Sequence, residues 1–135
     1  MRPKLVISPE ELGRNDIEAG VPPAEVRRWT YPPSELDVVI IRGPKAAYPD
    51  GVVSFWKAAD ACADVDFSER CTELSEDAAV DRVRSFIRGV RAEHEFKLRS
   101  AYLAGQEMDV DGPMCTTILL ETAREYIVAR WYSSA

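Results

Sequence analysis

The sequence predicts a single α+β domain over residues 1–135, predominantly helical, with a short two-stranded element near the N-terminus and a C-terminal antiparallel helix pair. Three observations lead there. Eight of the nine prolines precede residue 50, so only short elements fit in that part. One run, Leu36 to Gly43, reads as a strand. From residue 51 onward, apolar residues recur at helical spacing in a part that is expected to be wholly helical.

Each element follows from local chemistry. Ser8-Pro9-Glu10-Glu11 is a capping box with proline at the first helical position, and Gly13 ends the turn. Pro23 starts a second short helix through Trp29, stopped by Tyr31-Pro32-Pro33. Val38, Val39, Ile40 and Ile41 are consecutive and β-branched, which predicts a strand covered on both faces. Its expected partner is Lys4 to Ile7. Tyr48-Pro49-Asp50-Gly51 is a turn, and Val52, Phe55, Trp56, Ala59, Cys62 and Ala63 then predict a helix over 52–63. Asp66 or Ser68 caps a short helix carrying Phe67 and Cys71. Ser75 caps a long helix, 76–105, whose apolar line is Val80, Val83, Ile87, Val90, His94, Leu98 and Ala101. Gln106 to Gly112 reads as a polar loop. Pro113 opens a final helix to about residue 132, with Leu119, Leu120, Ala123, Ile127 and Trp131 on one face.

Thirty helical residues span about 45 Å at 1.5 Å each, whereas a 135-residue globule is only about 36 Å across. The long helix therefore bends, with Gly89 the hinge of lowest cost, or its end projects onto a partner. Phe96 and Leu103 fall opposite its apolar line, so its far half is sandwiched, and both side chains are expected to be buried.

Charge is unevenly distributed. Asp60, Asp64, Asp66, Glu69, Glu73, Glu76 and Asp77 face a single base, Arg70, whereas residues 82–99 hold Arg82, Arg84, Arg88, Arg91, Lys97 and Arg99 against Glu93 and Glu95. A chain of net charge −6 thus carries a local excess of positive charge on its longest predicted helix. Either the acidic segment folds back onto these bases, or Arg84, Arg88 and Arg91 are offered to a partner.

Composition excludes several functions. The pI near 4.9 argues against nucleic-acid binding through net charge. Cys62, Cys71 and Cys115 are odd in number and lack C-x-x-C spacing, so they are expected to be free thiols in helices, without metal. His94, the one histidine, lies on the apolar line as a buried or half-buried structural residue with no nucleophile signature. Asp109-Val110-Asp111-Gly112 has glycine in the wrong place for a calcium loop. No phosphate-binding glycine pattern or apolar membrane span occurs. No cofactor, catalytic residue or metal ligand is expected, and the chain reads as non-enzymatic and cytoplasmic.

One segment carries a resemblance. Asp16-Ile17-Glu18-Ala19-Gly20-Val21-Pro22-Pro23-Ala24-Glu25-Val26-Arg27-Arg28-Trp29 resembles the turn and recognition helix of small helix-turn-helix DNA-binding proteins. That implies a tight turn at Gly20, helix packing through Val21 and Val26, and Arg27 and Arg28 directed at DNA. Residues 1–34 hold five bases and five acids, so no basic footprint accompanies the motif. The leading expectation is a non-enzymatic interaction or assembly component acting by surface contact, such as a structural part of a viral or secretion assembly or an acidic inhibitor of the immunity type. Its contact residues would be Arg84, Arg88, Arg91, Phe96 and Leu103, toward a protein partner or a second copy. The alternative is a DNA-binding regulator, and an unrecognised enzyme stands third.

Overall fold

A computed structural model describes residues 5–31, 36–109 and 115–133. Six antiparallel strands form one sheet in the order β1-β2-β6-β5-β4-β3. They are β1 (Glu25–Tyr31), β2 (Leu36–Pro44), β3 (Cys71–Glu73), β4 (Tyr102–Met108), β5 (Cys115–Thr122) and β6 (Glu125–Ser133). Three helices accompany them: α1 (Pro9–Leu12), α2 (Val52–Ala63) and α3 (Glu76–Arg88). The fold is therefore sheet-rich, not predominantly helical, and the described residues form no C-terminal helix pair, because β5 and β6 run there.

Helices cover both faces of the sheet. Val39, Ile41, Leu119, Tyr126 and Val128 pack with Phe55, Trp56 and Ala59 of α2 on one face. Val38, Ile40, Ile118, Leu120, Ile127 and Ala129 pack with Ala79, Val83, Phe86 and Ile87 of α3 on the other. Consecutive residues of β2 thus serve opposite cores, as its unbroken apolar run predicts. The same burial explains the error at the C-terminus. A strand buried on both faces loses its alternation, and Leu119, Leu120, Ile127 and Trp131 then mimic a helical stripe. The overlooked signal is composition: Thr116, Thr117, Ile118, Ile127, Val128, Trp131 and Tyr132 are β-branched or aromatic. Pro113, the expected helix start, lies outside the described residues, as do residues 110–112 of the rejected calcium loop.

The middle helix is also shorter than expected. Ser75 caps it, accepting from the Ala78 N–H at 3.3 Å. It ends at Arg88, with Gly89 as the C-cap and Arg91 at φ 58°. The expected hinge is thus a stop, which removes the length conflict. Residues 89–101 form a connector with one 3-10 turn, Glu93–Glu95. His94 is exposed on that turn rather than set in a core. The prediction for 52–63 coincides with α2, and Ser8 caps α1 by accepting from the Glu11 N–H at 3.1 Å. No helix occupies 23–29, because β1 runs there. The short helix expected near Phe67 and Cys71 is replaced by an extended segment leading into β3. Part of the expected loop, Gln106 to Met108, belongs to β4. All three cysteines are free thiols, but only Cys62 lies in a helix.

Leu5, Val6 and Ile7 do not pair with β2, whose neighbours are β1 and β6, and Lys4 lies outside the described residues. A side chain holds it instead. Gln106, fully buried on β4, accepts from the Val6 and Ile7 N–H groups at 2.6 and 3.0 Å and donates to the Ile7 carbonyl at 3.0 Å. Elsewhere on β4, a Cβ at Gly105 would lie 2.2 Å from the Tyr102 hydroxyl oxygen. Glycine there lets Tyr102 lie across the strand and donate its hydroxyl to the Leu74 carbonyl.

Burial, with Glu73 and Glu76 nearby, pushes the Tyr102 phenol up to about 12. A phenol whose folded pKa exceeds its unfolded value contributes stability that is complete below about pH 10 and lost as the pH rises toward 12. Chemical denaturation across that range should show the wild type losing stability more steeply than Tyr102→Phe. Parallel curves would mean that Tyr102 titrates as it does in the unfolded chain.

Candidate functional site

Where β1 meets the connector, the α3 side of the sheet carries a cleft of about 90 Å³. Its floor is Trp29, Ile40, Ile87 and Phe96, and its walls are charged. Four arginines tie the connector to the sheet and to α3 around it. Arg42 of β2 donates to Glu125 of β6 and to the Lys97 carbonyl, with its guanidinium 5.1 Å from the Phe96 ring centre. Arg99 grips Glu25 with two bonds of 2.7 and 2.6 Å. Arg27 pairs with Glu95 at 2.7 Å and lies 4.8 Å from the Trp29 ring centre. Arg84 donates to the Phe96 carbonyl at 3.2 Å.

These groups differ in their surroundings. Arg42 and Glu125 are nearly withdrawn from water, with side chains 7% and 10% exposed. Burial draws the Arg42 guanidinium down from its ordinary value, and the Glu125 carboxylate opposes that shift. The Arg99 hydrogen bonds hold the Glu25 carboxyl below its ordinary value, against a smaller opposing effect of burial. Each of Arg27, Arg42 and Arg99 already has a carboxylate partner, so the cleft is electrically balanced. Its lining contains no serine, threonine, cysteine or histidine.

The expected contact residues scatter. Phe96 is 2% exposed and belongs to the α3-side core, closed by its own chain. Leu103 is 45% exposed on β4, so the expectation that both are buried fails for Leu103. Arg84 is tied to the connector. Arg88 is exposed and 3.9 Å from Asp81, and Arg91 is exposed on the turn after α3. Two bases of 82–99 pair with acids of distant strands rather than with the acidic segment: Arg82 with Glu107 at 2.8 Å and Arg99 with Glu25 at 2.6 Å. Sequence reasoning missed Arg42, Glu125, Glu25 and Glu95, which are scattered along the chain and meet only through strand pairing and the docking of the connector.

The helix-turn-helix resemblance is not supported by the fold, because Arg27 and Arg28 lie on β1 and α1 is a four-residue turn. Among the described residues, no group of three or more histidine, cysteine or acidic side chains is placed to hold a metal ion. No helix of the described residues is long and apolar enough to cross a membrane. No protein-family model, curated protein or solved structure matches the chain.

Two measurements test this account. Glu125→Ala leaves Arg42 buried without its carboxylate and should cost about 3–5 kcal/mol in urea unfolding. Phe96→Ala should cost about 3–5 kcal/mol by opening a cavity, whereas Leu103→Ala should stay within about 0.5 kcal/mol. A near-neutral Glu125→Ala, or equal costs at Phe96 and Leu103, would contradict the placement of these side chains.

Proposed function

We propose that the protein is a non-enzymatic assembly component that acts by contact, and that the contact is the edge of β1 pairing with β1 of a second copy. The observation that carries this reading is the unpaired outer side of β1. It is a seven-residue strand at the end of the sheet, and none of the described residues bonds to its far side. An edge of that length is a ready template for another strand. The opposite edge differs, since β3 is only three residues long. Val26, 43% exposed, adds apolar surface on β1 itself.

Self-pairing has a consistent register. With Trp29 on the two-fold axis, Arg28 stands opposite Thr30 of the second copy, and no like charges are opposed between residues 27 and 31. An aromatic pair across antiparallel strands is among the favourable cross-strand contacts. Centring the pair on Arg28 would instead oppose two arginines.

Net charge supplies the discriminating test. Two chains of charge −6 repel at long range, so added salt should strengthen their association. A DNA complex would weaken with salt, because binding releases counterions. Light scattering over a concentration series should show a dimer favoured by salt and indifferent to duplex DNA. Val26→Lys, at an exposed edge position, should keep the monomer folded and abolish the dimer. A monomer at every concentration and salt level refutes the proposal, and a DNA shift that fades with salt favours a regulator.

A further inference from the structure

A second cavity, of about 300 Å³, opens on the α3 side of the sheet where β5 begins and β6 ends. Helix and sheet each supply part of its wall. Arg82, Ser85 and Phe86 stand at i, i+3 and i+4 of α3, on one helix face. Thr116 of β5 and Trp131 of β6 are directly opposite each other. The neighbouring rows, Leu120 with Ile127 and Ile118 with Ala129, are closed within the α3-side core. The Thr116–Trp131 row passes beyond that cover, and both residues are only half-buried.

The cavity has a fixed polar group and an aromatic wall. Arg82 Nε donates to Glu107 at 2.8 Å, and the guanidinium lies 5.6 Å from the Phe86 ring centre. Both terminal nitrogens of Arg82 are left without a partner among the described residues. The Trp131 indole N–H and the Thr116 hydroxyl also lack one there, and neither is sealed from solvent. The Ser85 hydroxyl donates to the Arg82 carbonyl at 2.6 Å, so only its lone pairs remain. The free groups of the cavity are thus mainly donors. Water exchanges at such groups, and a ligand that supplies acceptors can replace it.

We propose that this cavity binds a small, neutral heteroaromatic ring bearing carbonyl groups, of the pyrimidine-dione kind. The ring lies against Trp131, and its carbonyl oxygens accept from the Arg82 terminal nitrogens and the Thr116 hydroxyl. Four features select that ligand. The volume is at the lower end of small-molecule pockets, about 300–1,000 Å³, and suits one ring. The aromatic wall favours a flat ring. The excess of free donors favours acceptors. Glu107 already offsets the Arg82 charge in a chain of net charge −6, which favours a neutral ring over a carboxylate. A free base and the base of a nucleotide share this chemistry, and separate probes distinguish them.

The test follows the indole N–H resonances of the full chain by NMR, with Trp131→Phe assigning that of Trp131. Uracil, and 1,3-dimethyluracil, which has carbonyl acceptors but no N–H, should both shift Trp131 saturably and leave Trp29 and Trp56 unmoved. Benzoate and methyl glucoside should not. Saturation by uridine monophosphate as well admits a nucleotide, and its failure assigns the site to the free ring. Thr116→Val and Arg82→Lys should each weaken uracil binding about tenfold, while Thr116→Ser, which keeps the hydroxyl, should retain it. The backbone spectrum of each variant reports its fold. Saturation by benzoate overturns the proposal in favour of an anion site, and saturation by the glucoside in favour of a sugar site. Unchanged affinity in both weakened variants, or no saturable shift with any probe, overturns it outright.

Discussion

The Arg42–Glu125 pair is the interaction on which the rest of the architecture depends. It joins the last residues of β2 to the start of β6, and the same guanidinium reaches the Lys97 carbonyl and packs on Phe96. A charge that deep is tolerated only when its hydrogen bonds are taken up. Glu125 and the connector backbone take them up, so sheet pairing and connector position satisfy one group together. Phe96 can then close the α3-side core, and Arg27, Arg84 and Arg99 secure the connector from its exposed sides. These outer pairs are half exposed and individually weak, and they refine a placement that the buried pair sets.

Legibility in the sequence followed the range of the interaction. Ser8, Ser75 and the 52–63 stripe are local signals, and the elements they announce are present. The unbroken run Val38 to Ile41 correctly reported a strand covered on both faces. β5 and β6 were misread because burial on both faces removes alternation, and apolar residues in such strands fall by chance at helical intervals. The stretch from His94 to Ala101 continued a helical line only weakly, with Leu98 its one large apolar residue, and the structure places a connector there.

The candidate sites were less legible still. Glu25, Arg42, Glu95, Arg99 and Glu125 come from three strands and a connector, and no spacing unites them. Arg82, Ser85 and Phe86 share a helix face, but Thr116 and Trp131 join them only once α3 lies on the sheet beside β5 and β6. The count of charges in 82–99 was a real signal wrongly resolved, because its acids come from distant strands. Charge patterning along a chain identifies neighbours reliably only where the structure is local, as on one helix face.

The Gln106 clamp bears on how this protein is free to vary. Gln106 recognises the N–H groups of Val6 and Ile7 and the carbonyl of Ile7, which are features of any polypeptide. The side chains of residues 5–7 are therefore constrained only by the apolar core that receives positions 6 and 7. The burden of specificity falls on the single amide at position 106. Mutational drift should be broad along the tethered segment and nearly forbidden at the tether, an inversion of the usual relation in which a strand and its partner change together.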